Sequence, residues 1–179
     1  MSGELILSMR QVDKRFSGVH AVKFVDFDLY AGEIHALVGE NGAGKSTLMK
    51  ILTGIHERDS GEISYLNRPF NPRNPKHALD LGIGIIHQEL NMMDHLTVAQ
   101  NLFIGRESMQ RNGVLLNDRD QNRRARELFD RLNMKIDPTE TLGRLTVGKQ
   151  QMVEIARAVS HNLQVLILDE PTAALTDTE

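Results

Sequence analysis

Nine consecutive residues carry the strongest chemical signal in the chain. Gly39-Glu40-Asn41-Gly42-Ala43-Gly44-Lys45-Ser46-Thr47 matches G-x-x-x-x-G-K-[ST], the spacing of a phosphate-binding loop. Gly39, Gly42 and Gly44 allow φ > 0 and a close wrap, so successive backbone N–H groups converge on phosphate oxygens. A helix starting at or near Lys45, with Leu48, Ile51, Leu52 and Ile55 at helical spacing, adds its positive end. Lys45 is then placed to reach β- and γ-phosphates, and the Ser46 hydroxyl to ligate Mg2+. The alternative is a glycine turn before an ordinary helix. The apolar run Ile34-His35-Ala36-Leu37-Val38 before the loop counts against it, because it reads as the buried strand such a loop needs. These residues imply a nucleoside triphosphate as ligand.

Four further places could serve the same chemistry. Val165-Leu166-Ile167-Leu168 reads as a buried strand ending in Asp169-Glu170; one carboxylate there can hold Mg2+ and the other polarise an attacking water. Such a pair also occurs as a mere helix cap, but a phosphate loop upstream favours the catalytic reading. Ile83, Ile85 and Ile86 form another buried strand, ending at His87-Gln88-Glu89, where α/β sheets bind ligands. Gln88 is there either a Mg2+ or water contact or a plain loop residue. Leu145-Thr146-Val147-Gly148-Lys149-Gln150 sets a hydroxyl and a glycine at a helix start, a second anion site or simply an N-cap. Phe16, in the polar stretch Lys14-Arg15-Phe16-Ser17-Gly18, offers a face to a nucleobase. Taken alone, that residue reads better as folded back onto the local core.

The elements that must position these residues follow from periodicity. Leu5, Leu7 and Met9, then Val22, Phe24, Val25, Phe27 and Leu29, read as two or three half-buried, antiparallel strands. Glu62 to Leu66 is a further strand, followed by a breaker-rich loop with Pro69, Pro72 and Pro75, then a short helix at Ala78, Leu79 and Leu81. From Leu96 to Ser160 the pattern is helical. Val98, Leu102 and Phe103 mark one helix; Ala125, Leu128, Phe129 and Leu132 a second; Met152, Ile155, Ala156 and Val159 a third. The second mixes Arg119, Arg123, Arg124, Arg126 and Arg131 with acidic residues, as a solvated face does. Met residues read as core filler, and Asp137-Pro138 as a loop.

Composition narrows the classes. At 179 residues, one domain can bury roughly 70% of its unfolded surface. With 21 Lys and Arg against 24 acidic residues, the net charge of -3 argues against a nucleic-acid partner. The absence of Cys removes disulfides, thiolate metal sites and Cys nucleophiles, and fits a cytoplasmic location. The His residues are scattered singly, without metal-ligand spacing. No apolar run approaches the ~18 residues of a membrane span, and the N-terminus lacks a signal-peptide pattern.

Glycine loop, strand-end Gln, hydroxyl-glycine helix start and Asp-Glu strand end, in that order, resemble an ABC transporter ATPase over the whole chain. Gly-Ile-Gly-Ile-Ile-His-Gln-Glu-Leu and Gln-Gln-Met-Val-Glu-Ile-Ala-Arg-Ala sharpen the resemblance to the first ATPase domain of bacterial ribose, galactose and xylose importers. The resemblance implies an α/β P-loop NTPase (ABC ATPase) core with an N-terminal antiparallel β subdomain and an inserted α-helical subdomain near residues 90–160. It makes residues 1–179 a single nucleotide-binding domain, incomplete at its C-terminus, with the C-terminal strands and switch histidine missing.

By the same resemblance, ATP is the cofactor with Mg2+. Phe16 is the adenine platform, reversing the reading from that residue alone. Ser46, Gln88 and Asp169 lie at the metal, Glu170 is the catalytic carboxylate, and Thr146 and Gly148 belong to the signature that clasps a partner domain's γ-phosphate. The signature departs from consensus at Thr146, Val147 and Lys149, and Thr176 stands where an Asp is usual. The implied partners are membrane permease subunits, a second ATPase domain and, indirectly, a periplasmic sugar-binding protein, at the cytoplasmic face of the inner membrane. Two other readings compete with a sugar-import ATPase: a catalytically inactive ATP-binding module, and a soluble ABC protein of DNA repair or translation. The missing strand is also expected to leave Ile34 to Val38 short of a neighbour, with apolar surface open to water.

Overall fold

Leu7 and Met9 point to one side of an extended chain, and two residues later the alternation slips. The computed structural model, which describes residues 3–86, 92–109 and 116–168, shows why. Strand β1 (Leu5–Phe16) carries an irregularity between Met9 and Val12, with Gln11 at φ 51°. The slip returns Val12 to the buried side, so Leu7, Met9 and Val12 are all buried despite their uneven spacing. Asp26 pins the bulge, accepting from the Gln11 N–H at 2.7 Å. Gly61 lies against it so closely that a Cβ there would stand 2.3 Å from the Gln11 carbonyl oxygen.

β1 turns through Ser17-Gly18 into β2 (Val19–Tyr30), its antiparallel partner. On its other side β1 pairs antiparallel with β3 (Ser60–Tyr65), giving the order β2-β1-β3-β4. The short β4 (Arg68–Pro69) follows a two-residue turn in which Leu66 and Asn67 both have positive φ. That is a hairpin turn, unforeseen in the sequence because Leu is a poor turn residue. Helix α1 (Lys45–Leu52) and helix α2 (Pro75–Asp80) complete this part. Asn74 caps α2 by accepting from the His77 N–H, with Pro75 at the first helical position. The chain divides into two compact units, residues 1–83 and 84–179.

The second unit is helical, with a two-stranded sheet of β5 (Ile83–Ile86) and β6 (Val165–Leu168). Its core joins α3 (Val98–Phe103), α4 (Asp118–Arg131) and α5 (Val147–Val159) through Val98, Leu102, Phe129, Leu142, Val153 and Ala156. Thr97 and Gln100 form a reciprocal capping box at α3. Asn101, buried on α3, holds the preceding loop: its amide oxygen accepts from the Met93 N–H at 2.8 Å, and its amide nitrogen donates to the Met93 carbonyl at 2.9 Å. α4 puts Asp118 and Asp120 in its first turn and Arg131 in its last, each favourable to the helix dipole. Arg123 pairs with Asp120 and Glu127 along the helix, as the alternating charges imply. Arg124 instead lies 4.3 Å from the Phe103 ring centroid. Phe129 is 1% exposed, so Phe129→Ala is expected to cost about 3–5 kcal/mol, read as a shift in the denaturation midpoint. No helix among the described residues is long and apolar enough to cross a membrane.

Four expectations need correction. Ile34 to Val38 is not a strand: it pairs with no described strand, and Ile34 and Val38 are 100% and 88% exposed. β-forming residues become a buried strand only where neighbours supply hydrogen bonds and cover. Ile55 lies outside α1, because Thr53 and Gly54 (φ 73°) end the helix, and it is exposed. Val165–Leu168 is a strand but buried on one side only: Val165 and Ile167 are buried, while Leu166 and Leu168 are 37% and 54% exposed. The Met residues divide likewise: Met9 is core, whereas Met93 and Met109 are exposed.

Candidate functional site

Gly44 fixes the shape of the glycine loop. It adopts φ 88°, and a Cβ on it would lie 2.0 Å from the Ala21 carbonyl oxygen of β2 and 3.6 Å from Val22. The position therefore needs glycine for conformation and for space, and the first turn of α1 rests on β2. Gly42 needs glycine for conformation alone, with φ 82° and open space around it. Ala43 N–H bonds the Glu40 carbonyl at 3.1 Å, tightening the turn. Residues 39–43 and Ser46 are exposed, Thr47 partly so.

α1 has no side-chain cap, so its first-turn N–H groups lack both an intrahelical acceptor and a capping one. The Lys45 ammonium donates to the Gly39 carbonyl at 2.5 Å and to the Glu40 carbonyl at 2.9 Å. It thus spans the loop, held by neutral acceptors that a phosphate oxygen would outcompete. Exposed glycines, uncapped helix-end donors and the Lys45 ammonium across the loop fit a polyphosphate.

Phe16 is the last residue of β1, paired with Val19, and is 40% exposed; it is not folded onto the core. Its surroundings include three residues that sequence reasoning missed. The Lys14 ammonium lies 5.5 Å from the ring centroid. Asp59 holds it there, one oxygen 2.7 Å from Lys14 Nζ and the other 2.7 Å from the Arg15 N–H. The bonds from Lys14 and then from the Arg15 N–H keep the Asp59 carboxyl below its ordinary range. The His56 ring meets Phe16 edge-on, centroids 5.1 Å apart and planes at 69°. No local pattern announces that contact. It arises because Ile55 and His56 both donate their N–H groups to the Lys50 carbonyl, turning the chain as α1 ends. Beneath the hairpin, buried Asp13 contacts His20 Nε2 and lies 3.6 Å from Arg15 Nε.

The first unit therefore carries both the Phe16 hairpin and the Gly39 to Thr47 loop. Thr146 and Gly148 belong to the second. Thr146 is the N-cap of α5, its hydroxyl accepting from the Lys149 N–H at 3.4 Å, and Gly148 is buried in the first turn. Gln150 donates to the Leu142 and Leu145 carbonyls at 3.2 and 3.3 Å, bracing the approach to the helix. Gln88, Asp169 and Glu170 lie outside the described residues.

Comparison with known proteins identifies the family. Residues 22–173 match the ABC transporter family. A putative ribose/galactose/methyl galactoside import ATP-binding protein 2 from Burkholderia cenocepacia (strain HI2424) is 56% identical over 97% of this chain and 34% of its own length. The ribose import ATP-binding protein RbsA of Halalkalibacterium halodurans is 51% identical over 98% of this chain and 35% of its own. The chain thus spans about a third of the curated relatives it matches. Among solved structures, cbiO1 from Clostridium perfringens, part of the ABC transporter complex cbiONQ, superposes with a TM-score of 0.78 at 29% identity, covering 97% of this chain and 68% of that one. With the glycine loop, the antiparallel sheet and the helical unit in place, and a family match over most of its length, this chain belongs to the ABC transporter family.

Proposed function

We propose that the chain is the ATP-binding part of an ABC importer ATPase that drives sugar uptake through a membrane permease. The observation that carries the reading is the loop at Gly39 to Thr47, shaped by Gly44 against β2 and crossed by the Lys45 ammonium. Phe16 on the adjoining hairpin offers an exposed face to adenine. The import ATP-binding names of the relatives support sugar as the cargo class.

In this reading the first-turn N–H groups of α1, Lys45 to Thr47, and the Lys45 ammonium hold the β- and γ-phosphates. Ser46, Gln88 and Asp169 would hold Mg2+, which would supply positive charge beside the phosphate oxygens. Glu170 takes a proton from the attacking water. Thr146 and Gly148 face the γ-phosphate bound by a second ATPase domain, head to tail. The assembly sits at the cytoplasmic face of the inner membrane, against permease subunits served by a periplasmic sugar-binding protein. Residues 1–179 act as one nucleotide-binding domain, its helical subdomain near 90–160.

Glu170→Gln is the test. The amide keeps shape but cannot accept the proton, so ATP binding persists while turnover in the assembled transporter falls by about 100- to 10,000-fold. Near-normal turnover would move the base elsewhere. ATP bound but never hydrolysed by the unaltered assembly would favour an inactive ATP-binding module instead.

A further inference from the structure

Phe16 stands at the end of a hairpin, where an aromatic ring without support samples several rotamers. A base stacks on only one of them. The ring is not without support: the edge-on His56 contact constrains its plane, and Lys14 lies toward it while anchored by Asp59. His56 is itself tied back to α1, through its N–H to the Lys50 carbonyl at 3.1 Å. The helix that follows the phosphate loop therefore also reaches the base platform, through one imidazole.

We infer that His56 is a positioning residue for the nucleobase: it fixes the plane of Phe16 so that a purine stacks without reorienting the ring. The inference rests on the nucleotide-site reading above and deepens it. His56 acts through Phe16 and touches neither phosphate nor metal. Its effect is confined to ligands that carry a base. Edge-to-face pairs of this kind set the expected scale at about three- to tenfold in affinity.

The test measures binding of ATP and of inorganic tripolyphosphate to the chain and to His56→Ala, His56→Phe, Phe16→Ala and the double variant Phe16→Ala/His56→Ala. His56→Ala is expected to weaken ATP about three- to tenfold and leave tripolyphosphate unchanged, with His56→Phe restoring ATP affinity. In the Phe16→Ala background, removing His56 should add nothing. Equal loss for ATP and tripolyphosphate, an unchanged ATP affinity in His56→Ala, or a full additional loss in the double variant would each overturn the inference. If Phe16→Ala weakens ATP while His56→Ala does not, only the His56 role fails. If neither ATP nor tripolyphosphate binds the unaltered chain, the nucleotide-site reading fails with it.

Discussion

Lys45→Ala is expected to lower ATP affinity by two to four orders of magnitude in a titration with a fluorescent ATP analogue. The Lys45 ammonium lies across the loop, bonded to the Gly39 and Glu40 carbonyls. Each charge-assisted bond it makes to phosphate instead contributes about 1.5–3 kcal/mol, and two such bonds give that range. The lower end is favoured because the ammonium must first leave its carbonyls. Those are exposed, so water replaces them and the thermal melt should move little. Unchanged affinity in a folded variant would remove Lys45 from the site.

Gly44→Ala should fail differently, by damaging the fold and the loop together. A residue with a Cβ loses about 1–2 kcal/mol in the left-handed conformation. The larger cost is steric: the methyl carbon would lie 2.0 Å from the Ala21 carbonyl oxygen, which is backbone and can yield only if β2 or α1 moves. Strain of that kind adds about 1–3 kcal/mol or more, a large share of a domain's total stability. Gly42→Ala provides the comparison, since φ is also positive there but no atom lies within 4 Å. A chemical denaturation series should show Gly44→Ala well below Gly42→Ala; equal losses would mean that contact with β2 is unimportant.

The legible parts of this chain were those whose signal is local. Leu48, Ile51 and Leu52 announced α1, Val98, Leu102 and Phe103 mark α3, and the Gly39 to Thr47 spacing marks a loop whose backbone does what the residue types require. What escaped depends on distant partners. Ile34 to Val38 has strand composition but makes no described strand pair, so composition alone misread it. Met9 and Val12 share the buried side only because Asp26, over ten residues away, pins the bulge between them. Leu66 takes a turn conformation that its side chain disfavours, since the β3 and β4 pairing holds it there. Phe16 was ambiguous alone for the same reason: its exposure is decided by the register with Val19. Gln88, Asp169 and Glu170 rest on sequence order and family likeness.

The seat of Gly44 on Ala21 and Val22 has a thermodynamic corollary. The contact ties the loop's conformation to the β1–β2 hairpin, so the two form together, and a formed hairpin lowers the cost of ordering the loop for an anion. Linkage then runs in both directions. Whatever occupies the loop raises the free energy needed to open the hairpin, and the β2 amides around Ala21 should exchange with solvent more slowly in saturating nucleotide. Conversely, a change of side chain at Val22, which touches no phosphate, alters affinity by altering how often the hairpin is formed.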